Sequence, residues 1–266
     1  MLPSPIKIRT GKQKMESWSL DGFLGYRYEM KYIISESKAA AIVQFIKPYV
    51  TLDRYSRLRP DGAYPITSLY LDSRDLQLCR ESLCGHKNRF KLRIRSYNND
   101  PDYPKFVEIK RRINTVIAKS RAPLIERDIN TLLSGRPLPP QGSETAEKTI
   151  DQFNLYMKSI GAKPLICIRY KRHAYENNTI NRVRITFDRD LQYNTETPFN
   201  LSLNGDSWQP CHLNGVILEI KFTGRYPAWL TVMIEQFNLQ TESVSKYVRS
   251  LTNASALKFY APKLVT

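Results

Sequence analysis

Three Glu-x-Lys pairs, Glu29/Lys31, Glu108/Lys110 and Glu219/Lys221, recur along a chain of 266 residues, each inside a run that alternates charged with apolar side chains. In an extended strand residues i and i+2 share a face, so each pair aims one carboxylate and one ammonium at the same space. With the same parity Arg27, Glu29 and Lys31 oppose Tyr28, Met30 and Tyr32, and Lys91, Arg93 and Arg95 oppose Leu92 and Ile94. Glu108, Lys110 and Arg112 oppose Val107 and Ile109; Arg182, Arg184, Thr186 and Asp188 oppose Val183, Ile185 and Phe187; Glu219 and Lys221 oppose Leu218, Ile220 and Phe222. One amphipathic strand has a solvated face that needs no function. Five such strands, with Arg, Lys and Glu in place of Ser and Thr, ask for more. If the charged faces converge inside a curled sheet, the cations repel one another unless a polyanion neutralises them. Interleaved glutamates suit a hard divalent ion that bridges to phosphate oxygens, while Arg and Lys bind those oxygens directly. The chemistry that such an arrangement implies is phosphate-chain handling with a divalent ion.

The elements that must position these residues follow from the same periodicities. Alternation predicts strands over 26–34, 66–72, 90–97, 106–112, 115–122, 165–175, 182–188 and 216–222. Ser35 precedes a helical run over 38–47 that Pro48 stops, and Ser143 opens a helix with Ile150, Phe153, Met157 and Ile160 on one face, closed by Gly161. Pro227 is expected in the first turn of a helix buried through Leu230, Met233, Ile234 and Phe237, and a shorter helix is expected over 243–251. The Pro/Gly connector from Ser134 to Gly142 reads as an insertion within one domain.

Composition agrees with a polyanionic partner. The chain carries 41 Lys plus Arg against 25 Asp plus Glu, a formal charge of +16, which points to nucleic acid, anionic lipid or phosphates. No apolar stretch approaches the roughly 20 residues of a membrane span. The four cysteines form no CxxC pair and the three histidines are scattered, which argues against zinc and against a Ser-His-Asp site; His173, beside Arg172, is the histidine best placed for chemistry. Residues 1–20 read as a flexible basic arm without an apolar leader, so a cytoplasmic location and a single domain over 21–266 are expected. Asp72 and Asp188 end polar faces and read more readily as turn or cap residues than as metal ligands. The loop from Arg54 to Arg59 reads as solvated surface or a rim where substrate enters.

Seven segments, in order, carry a family resemblance: Arg27-Tyr-Glu-Met-Lys-Tyr32, Ser68-Leu-Tyr-Leu-Asp72, Arg89-Phe-Lys-Leu-Arg-Ile-Arg95, Val107-Glu-Ile-Lys110, Arg182-Val-Arg-Ile-Thr-Phe-Asp188, Leu218-Glu-Ile-Lys-Phe222 and Ser245-Lys-Tyr247. Together they resemble the VTC domain, the polyphosphate polymerase module of the triphosphate tunnel metalloenzyme (CYTH-like) superfamily. The resemblance implies an α+β fold: an antiparallel β-barrel tunnel with helices at its rim and C-terminus. It implies transfer of the γ-phosphoryl of ATP to a growing inorganic polyphosphate chain with release of ADP. Lys246, Arg93, Arg95 and Lys31 would be catalytic, and Lys110, Lys119, Tyr170, Arg172, Arg184, Lys221 and Ser245 would bind the phosphate chain. Glu219 would be the main ligand of Mn²⁺ or Mg²⁺, with Glu29 and Glu108 as further ligands. No GxxxxGKS/T motif is present, so side-chain cations must replace a backbone cradle. The family often has a basic residue just before the terminal Ser-Lys pair, where this chain has Ser243-Val244. Coupling to translocation would need a separate membrane protein. The alternatives on the same fold are a metal-dependent tripolyphosphatase and a polyphosphate-binding sensor. Nucleic acid is not expected as a partner, because its cations would lie on an open surface among stacking aromatics.

Overall fold

The computed structural model describes residues 27–100, 102–114, 116–177, 182–195, 201 and 207–256. The arm expected over residues 1–20 lies outside them, as do Tyr26, Thr115 and the side chain of Arg27. The described residues form ten strands: β1 (Arg27–Ile34), β2 (Thr51–Leu52), β3 (Ala63–Asp72), β4 (Arg89–Ser96), β5 (Lys105–Ile113), β6 (Val116–Leu124), β7 (Lys163–Glu176), β8 (Val183–Asn194), β9 (Gln209–Pro210) and β10 (Val216–Thr223). They also form six α-helices: α1 (Glu36–Ile46), α2 (Gln77–Leu83), α3 (Glu126–Leu133), α4 (Glu144–Ser159), α5 (Ala228–Gln236) and α6 (Lys246–Ala256). Among them no helix is long and apolar enough to cross a membrane. The sheet runs β1-β10-β8-β7-β3-β4-β5-β6, with β2 on β7 and β9 on β8, and its pairs are antiparallel.

Local chemistry accounts for most boundaries. The Ser35 and Ser143 hydroxyls accept from the backbone N–H of Lys38 and Ala146, as N-caps do. Ser245 caps α6 in the same way, its Oγ accepting from Val248 N at 3.3 Å, so this helix begins later than the apolar pattern suggested. Pro227 stands one residue before α5, with ψ of 134°, and not in its first turn. Two helices that the periodicity did not predict, α2 and α3, are seven and eight residues long. The α2 N-terminus depends on a carboxylate at the end of β3: Asp72 accepts from Leu78 N and Cys79 N at 2.9 and 3.0 Å. The 134–142 connector joins α3 to α4, and both helices pack on the same core cluster as β4, β5 and β6.

Strand parity sorts the sheet as the alternation required. Leu92, Ile94, Val107, Ile109, Val183, Ile185, Phe187, Leu218 and Ile220 are fully buried on its outer face. There α1 and α5 cover β1, β8 and β10 through Ile42, Ile46, Leu230 and Met233, and α3 and α4 cover β3 to β6 through Ile129, Leu132, Ile150 and Phe153. Each such side chain contributes about 1.5–3 kcal/mol by leaving water, and it does so for four helices, α1, α3, α4 and α5. The inner face keeps the charges. The path ends, β1 and β6, do not pair, but Lys110 of β5 reaches both carboxylate oxygens of Glu29 on β1 at 3.1 and 3.2 Å. The expected barrel is therefore a curled sheet whose seam is closed by side chains and not strictly by backbone.

Gly215, at φ of +131°, leads into β10 where that strand pairs with Ile34 of β1, and a Cβ there would collide with the Ile34 carbonyl oxygen. Gly215→Ala is expected to lower the unfolding free energy by about 1–3 kcal/mol, read from the urea midpoint.

Candidate functional site

The seam gathers the first group of inner-face charges. Register sets Glu29 opposite Lys221 and Lys31 opposite Glu219, so two Glu-x-Lys pairs from adjacent strands interlock with opposite signs facing. Lys31 Nζ lies 3.0 Å from Glu29 Oε1 and donates to the Val244 carbonyl at 3.1 Å; Lys221 Nζ lies 2.9 Å from Glu219 Oε1. Burial and the nearby Glu219 push the Glu29 carboxyl up, but Lys110, Lys31 and Lys221 outweigh them and hold it below the ordinary range. Burial works against the charged Lys221 more than its two glutamates favour it, and its ammonium falls to about 8.

Glu108 is the second centre. It is fully buried on β5, with Oε2 2.6 Å from Arg93 and 4.0 Å from Arg95, and Oε1 2.7 Å from Lys119 and 3.4 Å from Arg121. Burial alone would raise this carboxyl; the four cations hold it well below its usual range. Lys119 is pushed down by burial and by Arg93, Arg95 and Arg121, against the pull of Glu108, to about 7. Arg93 also donates to the Tyr70 hydroxyl at 3.0 Å. Burial resists ionisation of Tyr70, but Arg93 and Arg95 lower its phenol to about 8.

Asp188 is the third. Its carboxylate takes a two-pronged hydrogen bond from Arg172 at 2.6 and 2.7 Å and an ion pair from Lys246 of α6 at 2.6 Å. Despite burial these cations hold the acid at about 2. Arg172 also lies 3.7 Å from Glu219, which links this centre to the seam, and both Arg172 and Lys246 sit over the Tyr170 ring. Nearby, Arg184 is held by Asp53 at 2.6 Å, Glu176 at 2.7 Å and the Tyr64 hydroxyl at 3.2 Å. Ser245 accepts from Lys91 at 2.8 Å, and burial drops the Lys91 ammonium to about 8.

The structure thus brings the sequence-predicted residues Lys31, Arg93, Arg95, Lys110, Lys119, Tyr170, Arg172, Arg184, Glu219, Lys221, Ser245 and Lys246 onto one inner surface, linked by shared carboxylates. Lys91, Arg121, Asp53, Tyr64 and Tyr70 belong there too and were not assigned roles. Strand parity pointed to Lys91, and Tyr70 lies in a quoted segment, but Asp53 sits in a loop that alternation cannot read. Asp188 is neither cap nor turn but a counter-ion. Asp72 is a cap. Arg112 turns away to the Asn114 carbonyl at 2.9 Å, and His173 bonds Asp61 O and Arg189 on the other face. A cavity of about 80 Å³ opens beside Arg182, Arg184 and Lys221, whereas a larger one of about 260 Å³ lies between the end of α1 and Glu176, sharing only that residue with the charged surface.

The donor set decides which metal arrangement fits. Among the described residues no three His, Cys, Asp or Glu side chains are placed to cage an ion. Glu29 and Glu219, close enough for one to raise the other's carboxyl, fit a divalent cation that takes one or two carboxylates and completes its shell with water and phosphate oxygens. All three carboxylates already face cations, Glu108 with four and Glu29 and Glu219 with two each, so an ion held at any of them would displace ammonium or guanidinium partners.

Glu108→Gln would leave Arg93, Arg95 and Lys119 without their counter-charge, at an expected cost of about 3–5 kcal/mol in a urea titration without phosphate. Because the Glu108 carboxyl is depressed in the folded state, the wild-type advantage is complete above the ordinary carboxylate range and is lost as pH falls through and below it.

The VTC domain family matches the chain over residues 26–254. No curated protein matches it. Among solved structures the chain is similar to a putative adenylate cyclase from Bacillus halodurans, 12% identical at a TM-score of 0.45, over 83% of this chain and 94% of that one. It is also similar to the PH1819 protein from Pyrococcus horikoshii OT3, 12% identical at a TM-score of 0.44, over 86% and 99% of the two chains. The family match spans every element of the charged inner surface, from β1 to α6, and by it this chain belongs to the VTC domain family.

Proposed function

We propose that the chain is a polyphosphate polymerase, which transfers the γ-phosphoryl of ATP to the end of an inorganic polyphosphate chain and releases ADP. The observation that carries this reading is the inner surface itself. Cations from β1, β4, β5, β6, β7, β8, β10 and α6 face one space, with the protein's own carboxylates as their partners. Those carboxylates stand where a phosphate chain would supply oxygens. A polyanion that threads this space exchanges many internal ion pairs for its own, without exposing the cations to one another.

In the reaction a terminal oxygen of the growing chain attacks the γ-phosphorus in line. The bond from that phosphorus to the β–γ bridging oxygen breaks, and ADP leaves with the electron pair. No side-chain nucleophile takes part, so positioning and charge stabilisation supply the catalysis. Arg93 and Arg95, fixed by Glu108, hold the equatorial oxygens, and Lys31, Lys110, Lys119, Arg172, Arg184 and Lys221 hold the flanking phosphates. Lys246, delivered by α6 and paired with Asp188 in the free protein, neutralises charge on the transferring group, and Ser245 donates beside it. A bound Mn²⁺ or Mg²⁺, held by Glu219 and Glu29, would supply further neutralisation of the phosphate oxygens. Glu108 serves as the anchor of Arg93, Arg95, Lys119 and Arg121.

Purified protein incubated with ATP and Mn²⁺ is expected to yield long-chain polyphosphate and ADP. Orthophosphate alone would mark a hydrolase, and tight polyphosphate binding without turnover a sensor. Lys246→Ala and Glu219→Ala are each expected to lower turnover by about 100-fold or more while the protein stays folded; full activity in both would overturn the assigned roles. Lys91 and Lys221, at about 8, and Lys119, at about 7, are partly or largely uncharged at pH 8 in the free protein. A polyanion favours their charged forms, so tripolyphosphate binding takes up protons, and affinity is highest below these values and falls as pH rises through them. Calorimetry in buffers of different ionisation enthalpy should show that uptake at pH 8 and little of it at pH 6.

A further inference from the structure

Lys246 and Ser245 owe their place to the first turn of α6, and the polar contacts they make there are ones a phosphate chain would contest. Ser245 accepts from Lys91, and Lys246 pairs with Asp188. An incoming phosphate oxygen competes for both ammonium groups. The next residue, Tyr247, is anchored differently. It is 1% exposed, its hydroxyl donates to Asp72 Oδ2 at 2.5 Å, and its ring stacks on Tyr70 with centroids 4.9 Å apart and planes 14° apart.

Asp72 is itself 2% exposed and ties three elements together. Oδ1 accepts from Ser73 N at 2.7 Å and Leu78 N at 2.9 Å, and Oδ2 accepts from Cys79 N at 3.0 Å besides the Tyr247 hydroxyl. The end of β3, the first turn of α2 and the first turn of α6 thus meet on one carboxylate. The Tyr70 ring under Tyr247 continues the chain to Arg93, which donates to its hydroxyl at 3.0 Å. Neither Asp72 nor the Tyr247 hydroxyl is a cation that a polyanion would draw away.

We propose that Asp72 and Tyr247 are positioning residues: their hydrogen bond registers α6 so that Lys246 and Ser245 stay aimed into the channel once phosphate oxygens have drawn the Lys246 ammonium from Asp188 and the Lys91 ammonium from Ser245. This rests on the function proposed above, and the test separates the two. Tyr247→Phe keeps the ring stack and removes only the hydroxyl. Combined with Lys246→Ala in a double-mutant cycle, it is read by tripolyphosphate affinity in calorimetry and by kcat and KM for polyphosphate synthesis. With Lys246 present, Tyr247→Phe should weaken tripolyphosphate binding by about tenfold and lower kcat more than it raises KM; with Lys246→Ala in place it should do almost nothing further. Asp72→Asn provides a second cycle with the same expectation should Tyr247→Phe fold poorly. Equal effects in both backgrounds, or wild-type affinity and kcat in a folded Tyr247→Phe protein, overturn the positioning role alone. Wild-type protein that binds no tripolyphosphate overturns the proposed function, and this role with it.

Discussion

Buried positive charge is the constraint on which the rest of this structure depends. A curled sheet that turns Arg and Lys inward from many strands can fold only if something neutralises them, because like charges in a poorly screened interior raise one another's energy. The protein solves this with carboxylates set among the cations: Glu29 and Glu219 at the seam, Glu108 for Arg93 and Arg95, Asp188 for Arg172 and Lys246, Asp53 and Glu176 for Arg184. Each keeps its cations in place by direct ion pairs. The compensation is incomplete, and the depressed ammonium groups of Lys91, Lys119 and Lys221 record where burial still outweighs it.

The apolar half of each strand makes this arrangement affordable. The outer face packs under α1 and α5 on one side and α3 and α4 on the other, and the inner face carries core only where α6 lies against β3 and β7, at Tyr70, Ile166, Ile168 and Tyr170. The rest of the inner face is available for polar work, and β1 and β6 need not pair, because the Lys110–Glu29 contact draws the path ends together. α6 packs differently. It joins β3, β7 and β8 in a third cluster through Tyr247, Leu251 and Ala254, which is how a helix residue, Lys246, comes to share a carboxylate with a strand residue, Arg172.

Much of this was legible in advance. Parity along each strand separated the buried Leu92, Ile94, Val183 and Ile185 from the charged Arg93, Arg95 and Arg184, because a period of two is a property of extended backbone and not of its neighbours. Ser35 and Ser143 announced their helices for an equally local reason. Apolar periodicity did not show the short helices α2 and α3, since seven or eight residues carry too few turns for an apolar stripe and α2 takes its N-terminal cap from Asp72 on another element. Asp53 escaped as well: it lies in a loop, and only the fold places it 2.6 Å from an arginine 131 residues away.

What the sequence determined by itself was the inventory and its facing: which side chains are charged, which strands carry them and on which side of each strand they stand. Those follow from backbone geometry one element at a time. The tertiary structure decided the partners. Which cations Glu108 faces, whether Asp188 caps a turn or holds Lys246, and whether the sheet closes by backbone or by an ion pair all depend on distances between segments far apart in the chain. Electrostatic energy depends on those distances and on burial, and neither is written in the spacing of residues along a strand.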